Sequence, residues 1–132
     1  MKICEYDKQA ADNNDSSPLA RTAYSVLVRH LAVCEGYTMA YRYLLEKVGI
    51  KSEEIVSEKM RHCWNYVLII DSWYHVDVTW DDPIFLTRRY QNTISHRYFM
   101  MSDDKAKRNK HHGWECRGLP PATNHDFDNR KW

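Results

Sequence analysis

HCWNYVLIIDSWYHVDVTWDDP, residues 62 to 83, decides the fold. It is rich in Val, Ile, Trp and Tyr, is broken by Asp71-Ser72 and is closed by Asp81-Asp82-Pro83, which is the pattern of a β-hairpin. The turn holds no glycine, so its type stays open. Two polar residues stand out in this apolar stretch: His62 opens the first strand and Asp77 lies inside the second. An acid in such a strand is costly unless it is paired or hydrogen-bonded. With an even-length tight loop, His62, Trp64 and Tyr66 share a face with His75, Asp77 and Thr79. A turn centred on 70 and 71 sets Trp64 opposite Asp77 and His62 diagonal to it, within reach. An odd-length loop would put His62 and Asp77 on opposite faces. By the same alternation, Cys63 points away from His62.

Upstream, Tyr37, Ala40, Tyr41, Leu44, Leu45 and Val48 recur at i, i+3, i+4, i+7, i+8 and i+11, one face of an amphipathic helix. Gly49 can take a left-handed cap at its end. The spacing predicts a helix from about Glu35 to Val48, with Cys34 at its N-terminal end. Before it, residues 7 to 17 read as a loop, Ser17-Pro18 as a helix entry, and Leu19 to Leu31 as a short helix weakened by Thr22, Val26 and Val28. Ile50 to Ser57 reads as an exposed strand. Beyond the hairpin, Tyr98 to Met101 suggests a short strand, Ser102-Asp103-Asp104 opens a basic helix through Lys110, and the tail from His111 reads as irregular. Helices followed by a run of strands argue for an α+β fold with helices packed on an antiparallel sheet.

The chain has 132 residues, 43% hydrophobic and 28% charged, enough for one globular domain over 1–132 with a core of its own. A net charge of +1 excludes a strong basic footprint for nucleic acid. No apolar run approaches the roughly 20 residues of a membrane span, and the polar N-terminus carries no signal peptide. Oligomeric state is not legible. Four cysteines at 4, 34, 63 and 116 form no C-x-x-C pair, and a core of this size needs no disulfide, so at least one free thiol is expected. With four glycines there is no phosphate-binding loop, and no cofactor is implied. His111, His112 and Cys116, with His96 or His125, match no strong zinc spacing, so no metal is expected. The run Lys105 to Lys110 reads as a solvated helix face, and Trp73, Trp80 and Trp114 as packing rather than carbohydrate stacking.

Alone, Cys34 is a small apolar filler. A thiol at a helix start, however, meets unpaired N–H groups and the positive end of the helix dipole, which favour the thiolate and can hold an oxyanion. Cys34, His62 and Asp77 in chain order then have the logic of a thiol acyl-transfer triad: nucleophile, proton carrier and orienting carboxylate.

The blocks that carry this logic resemble those of bacterial transglutaminase-like domains, relatives of papain-fold cysteine enzymes. AVCEGYTMAYRYLLEKVGI is similar to their nucleophile block, RHCWNYVLIIDSWYHVDVTWDDP to their His and Asp blocks, and YFMMSDDKAKRNKHHGWE, less specifically, to their closing segment; the lead-in from Tyr6 to Leu27 is similar as well. The resemblance spans roughly residues 6 to 115. It implies a papain-like core with the nucleophile at a helix N-terminus. Cys34, His62 and Asp77 would be catalytic, Trp64 and Tyr37 would contact substrate, and protein or peptide amides would be the substrates. It also implies an extracellular or cell-envelope setting, and a chain that is a fragment of something larger. The sequence departs from the pattern in its loops: Arg29-His30-Leu31 before the cysteine, Glu58 to Arg61 without the usual glycine before the histidine, Ile70-Asp71-Ser72 in place of Asp-Gly, and Cys63 where a small residue is usual. These departures keep a second reading open, a catalytically silent binding or structural module on the same fold.

Overall fold

The computed structural model describes residues 4–12, 18–82 and 94–131. A short strand β1 (Glu5–Tyr6) and helix α1 (Lys8–Asp12) lead to a 3₁₀ turn at Pro18–Arg21, a π-helical turn at Ser25–Arg29 and strand β2 (Leu31–Ala32). Helix α2 (Cys34–Lys47) follows, then β3 (Ser52–Ser57), β4 (His62–Ile69), β5 (Ser72–Val76) and α3 (Asp103–Arg108). Strands β3, β4 and β5 form one antiparallel sheet with β4 in the centre, and β1 pairs with β2 in parallel. The mixed α+β architecture expected from the element order is present, with α2 against the three-stranded sheet.

The hairpin register pairs Ile69 with Ser72 and Asn65 with Val76. The loop is therefore Ile70-Asp71, even in length, and the same register carried one position further brings Trp64 level with Asp77. Alternation along β4 then sorts the side chains. Val67, with Tyr74 and Val76 of β5, packs on Leu45 of α2. Trp64 and Tyr66, with Trp73, pack on Ile55 and on Ala122 of the C-terminal tail. Both faces of the sheet are covered, which is why residues 62 to 67 are buried without interruption.

Several expectations need correction. The segment from 19 to 31 is not one helix. Its β-branched residues disfavour one, His30 adopts φ +61°, and the chain must extend at Leu31–Ala32 to pair with β1. The buried side of α2 is also rotated: Gly36 and Thr38 are buried, while Leu44 is 47% and Val48 70% exposed. On this side, Asn65 Nδ2 of β4 donates to the Thr38 carbonyl at 3.1 Å, and Gly36 lies against Ala20 and Ala32. Tyr98 to Met101 forms no strand; Met100 has φ +50°, and only Met101 bridges to His75. Residues 83–93, part of the segment read as mixed, lie outside the described residues.

Other local readings are matched. Gly49 has φ +76° just after α2, and Ser102 caps α3 by accepting from Lys105 N at 3.1 Å. The two turns that lack their expected glycine both place a residue in the left-handed region, Arg61 at φ +51° and Ile70 at φ +55°. For β-branched Ile70 that conformation costs about 1–2 kcal/mol.

Candidate active site

Cys34 is the first residue of α2. Val33 precedes it in extended conformation and offers no side-chain cap, so the first-turn N–H groups are left for other partners. Two residues on, Gly36 explains itself: a Cβ there would lie 2.7 Å from the Ala20 carbonyl oxygen and 2.9 Å from Ala32 Cβ. Only glycine lets the start of the helix seat on the turn at 18–21 and on β2. Cys34 opens onto a cleft of about 550 Å³ lined also by Tyr6, Arg21, Glu35, Glu54, His62 and Cys63. Within it, Arg21 and Glu35 are paired at 2.5 Å.

The thiol has two partners. Hydrogen bonding from Cys63 is the larger influence and His62 adds to it; together they outweigh the burial that would raise the pKa and bring Cys34 down to about 4. The charge settles on Cys34 because it has the imidazole and the helix terminus beside it. Cys63, holding the proton and facing that anion, is pushed well above the usual thiol range. None of the four cysteines is in a disulfide.

His62 and Asp77 meet as the even loop allows. His62 Nε2 lies 2.7 Å from Asp77 Oδ2, and both side chains are almost wholly buried. Because Nε2 is engaged, the ring presents Nδ1 to the thiol. Burial alone would lower the His62 pKa, but the bonds to Asp77 and Cys34 raise it to about 9. The ring also stacks on Trp64 and Trp80, with centroids 5.7 and 5.2 Å away.

A residue not anticipated for this site completes it. His111 Nε2 lies 2.8 Å from the same Asp77 oxygen, and its ring is fully buried. Trp80 N donates to the other oxygen, Oδ1, at 3.0 Å. Burial would raise the Asp77 pKa; the bonds from His111 and His62 overcome it and hold the carboxylate ionised. In the sequence, His111 was visible only as half of a His-His pair on an irregular tail. Nothing local to the tail says that it folds back onto the hairpin.

Trp64 and Tyr37, expected to contact substrate, are not on the cleft. The face alternation of β4 sends Trp64 to the tail side, where it is fully buried, backs His62 and donates Nε1–H to His75 Nδ1 at 2.9 Å. Tyr37 projects from α2 into the cluster with Cys4, Val26 and Ala40, and its hydroxyl donates to Asp82 Oδ2 at 2.6 Å. It lines a separate, apolar cavity of about 370 Å³.

The His111, His112, Cys116 spacing does not assemble a metal site, since His112 is exposed while His111 turns inward. Among the described residues, His62, Asp77 and His111 are the one group whose ligand atoms lie close enough together, within 4.8 Å, to hold a cation. Their 2.7 and 2.8 Å separations are those of N–H···O bonds. No helix among the described residues is long and apolar enough to cross a membrane.

No family model matches the sequence, and no curated protein matches it either. Among solved structures, the chain is similar to a transglutaminase, described as "Crystal structure of a TGase", with a TM-score of 0.53 and 21% identity. The similarity covers 70% of this chain and 27% of that one, so the chain matches about a quarter of that protein's length. At this identity the likeness establishes a transglutaminase-like fold.

Proposed function

We propose that the protein is a cysteine-dependent acyltransferase or hydrolase of protein or peptide amides, with Cys34 as nucleophile, His62 as general acid and base, and Asp77 as the carboxylate that orients His62. The observation that carries this reading is an imidazole held between a buried carboxylate and a thiol at a helix N-terminus, with the thiol open to a cleft.

The chemistry follows from the positions. The Cys34 thiolate attacks the amide carbonyl, and first-turn N–H groups of α2 stabilise the oxyanion. His62, protonated on Nδ1, gives that proton to the leaving amine, and an acyl-thioester remains. Water or a second amine then attacks, and His62 takes back the proton. Asp77 fixes the tautomer throughout. His111, as second donor to the same oxygen, keeps Asp77 ionised and stops it from turning away. Hydrolysis and amine transfer share this intermediate and differ in what resolves it.

The reading is tested by incorporation of a fluorescent primary amine into a Gln-containing protein and by ammonia release, together with alkylation of the folded protein and peptide mapping. Cys34→Ala is expected to lower turnover by at least about 10³-fold while leaving the fold intact. Labelling of Cys34 no faster at pH 7 than of buried Cys4 or half-buried Cys116 would sink the reading. It would leave a catalytically silent module on this fold.

A further inference from the structure

Two thiols, not one, sit at the mouth of α2. Thr38 stands one turn after Cys34 on the same face of the helix, and its Oγ1 lies 3.7 Å from Cys63 Sγ and 3.3 Å from the Cys63 carbonyl oxygen. The Cys63 sulfur is therefore tucked under the first turn of α2, within hydrogen-bonding reach of Cys34. Both line the same cleft, yet their access differs: Cys34 is half-buried, whereas Cys63 is 4% exposed.

We propose that Cys34 and Cys63 are a peroxide-oxidised dithiol, a modification site in which Cys34 is attacked and Cys63 resolves it to an intramolecular disulfide. The proposal rests on Cys34 being a thiolate, as the functional reading also requires. Hydrogen peroxide entering the cleft meets Cys34 first. The thiolate attacks the distal oxygen, the O–O bond breaks, and the departing hydroxide takes a proton from His62 to leave as water. Cys34 is then a sulfenic acid, oxidised by two electrons. The Cys63 thiol attacks the Cys34 sulfur, an S–S bond forms, the S–O bond breaks, and the Cys63 proton leaves with the hydroxyl as a second water. Forming the bond brings the two sulfurs to about 2.05 Å. Alternation along β4 puts His62 and Cys63 on opposite sides of one strand, so the proton donor and the resolving thiol approach Cys34 without competing for space.

The experiment treats the intact chain with a few equivalents of hydrogen peroxide at pH 7, followed by non-reducing peptide mapping and by the rate of Cys34 alkylation. The expected result is a Cys34–Cys63 cross-link with loss of two hydrogens, and a fall of more than about tenfold in Cys34 labelling that dithiothreitol reverses. In Cys63→Ser, Cys34 is expected to run on to sulfinic acid, beyond rescue by thiol. If Cys63→Ser fails to fold, the wild-type map decides alone. Over-oxidised Cys34 beside an intact Cys63 thiol in the wild-type protein would overturn the proposal. If Cys34 labels rapidly before peroxide and no cross-link forms, only the dithiol is lost; if Cys34 is inert from the start, the nucleophile reading falls with it.

Discussion

Of the buried histidines bonded to aspartates, His62 and His75 behave oppositely. His62 lies between Asp77 and the Cys34 thiol, and its pKa is raised to about 9. His75 lies one strand over, accepts from Trp64 Nε1 on Nδ1 and meets Asp103 Oδ1 through Nε2 at 2.8 Å. Burial lowers its pKa, and the Asp103 bond does not make up the difference. The carboxylates differ little in chemistry; what differs is the far side of each ring. On His62 it faces an anion that welcomes a proton. On His75 it is filled by an indole N–H, which a second ring proton would have to displace. Of the two, the pair proposed as the proton carrier is the one whose second nitrogen faces the thiol.

The largest effects should separate the two pairs by function. Asp77→Asn is expected to cut turnover by about 10²–10⁴-fold, because an amide can leave His62 in the wrong tautomer. His111→Phe removes one of the bonds on Asp77 and should cost about 10–100-fold in kcat with little change in KM. Steady-state kinetics on folded variants check both, and equal losses from Asp103→Asn would erase the distinction drawn here.

Stability should separate them the other way. His75→Phe strands the Trp64 N–H and the Asp103 carboxylate, and should cost about 2–4 kcal/mol in urea unfolding. The pH dependence sharpens the point. His75 is held below its unfolded value of 6.5, so the unfolded chain binds the extra proton on acidification. The stability this histidine confers is present above about 6.5 and is lost as pH falls. Between pH 6.5 and 5, wild-type stability should therefore fall more steeply than that of His75→Phe, by up to one proton or about 1.4 kcal/mol per pH unit. His62 runs in the opposite sense: its share is complete below 6.5 and is lost as pH climbs through about 9. Turnover should accordingly have an acid limb near 4, from Cys34, and a basic limb near 9, from His62. A basic limb near 6.5 would mean that His62 is no more perturbed than a free imidazole.

The smallest effect tests the turn that sets the pairing. Ile70 is 90% exposed and strained at φ +55°. Ile70→Gly should stabilise the chain by about 1 kcal/mol, read as a rise in the urea midpoint, and leave both histidine pairs untouched.

Much of this was legible along the chain. The hairpin, its register and the His62–Asp77 diagonal followed from period-two alternation and an even loop, both local properties. The helix start at Cys34 followed from apolar spacing and Gly49. What escaped was set by contacts distant in sequence. On α2, Tyr37, Ala40 and Leu45 of the stripe are buried, but Gly36 and Thr38 join them in place of Leu44 and Val48, and His111 and the Asp103 partner of His75 reach the hairpin only through the fold of the tail. Trp64 and Tyr37, which the resemblance assigned to substrate, lie off the Cys34 cleft, a placement that depends on which face of each element the rest of the fold covers. The missing glycines at 61 and 70 looked like departures from the pattern, yet the backbone keeps the left-handed geometry and accepts the strain.

The reach of His111 has a temporal side. The bond from His111 to Asp77 closes a loop of 34 residues, the longest link in the site. A chain emerging from the ribosome can form α2 and the hairpin, and so bring thiol and imidazole together, well before residue 111 is available. Until the tail docks, Asp77 lacks a donor and the sheet face beneath Trp64 is bare. The carboxylate behind the proposed nucleophile is thus given its last donor late, and the order of synthesis becomes a delay written into the topology.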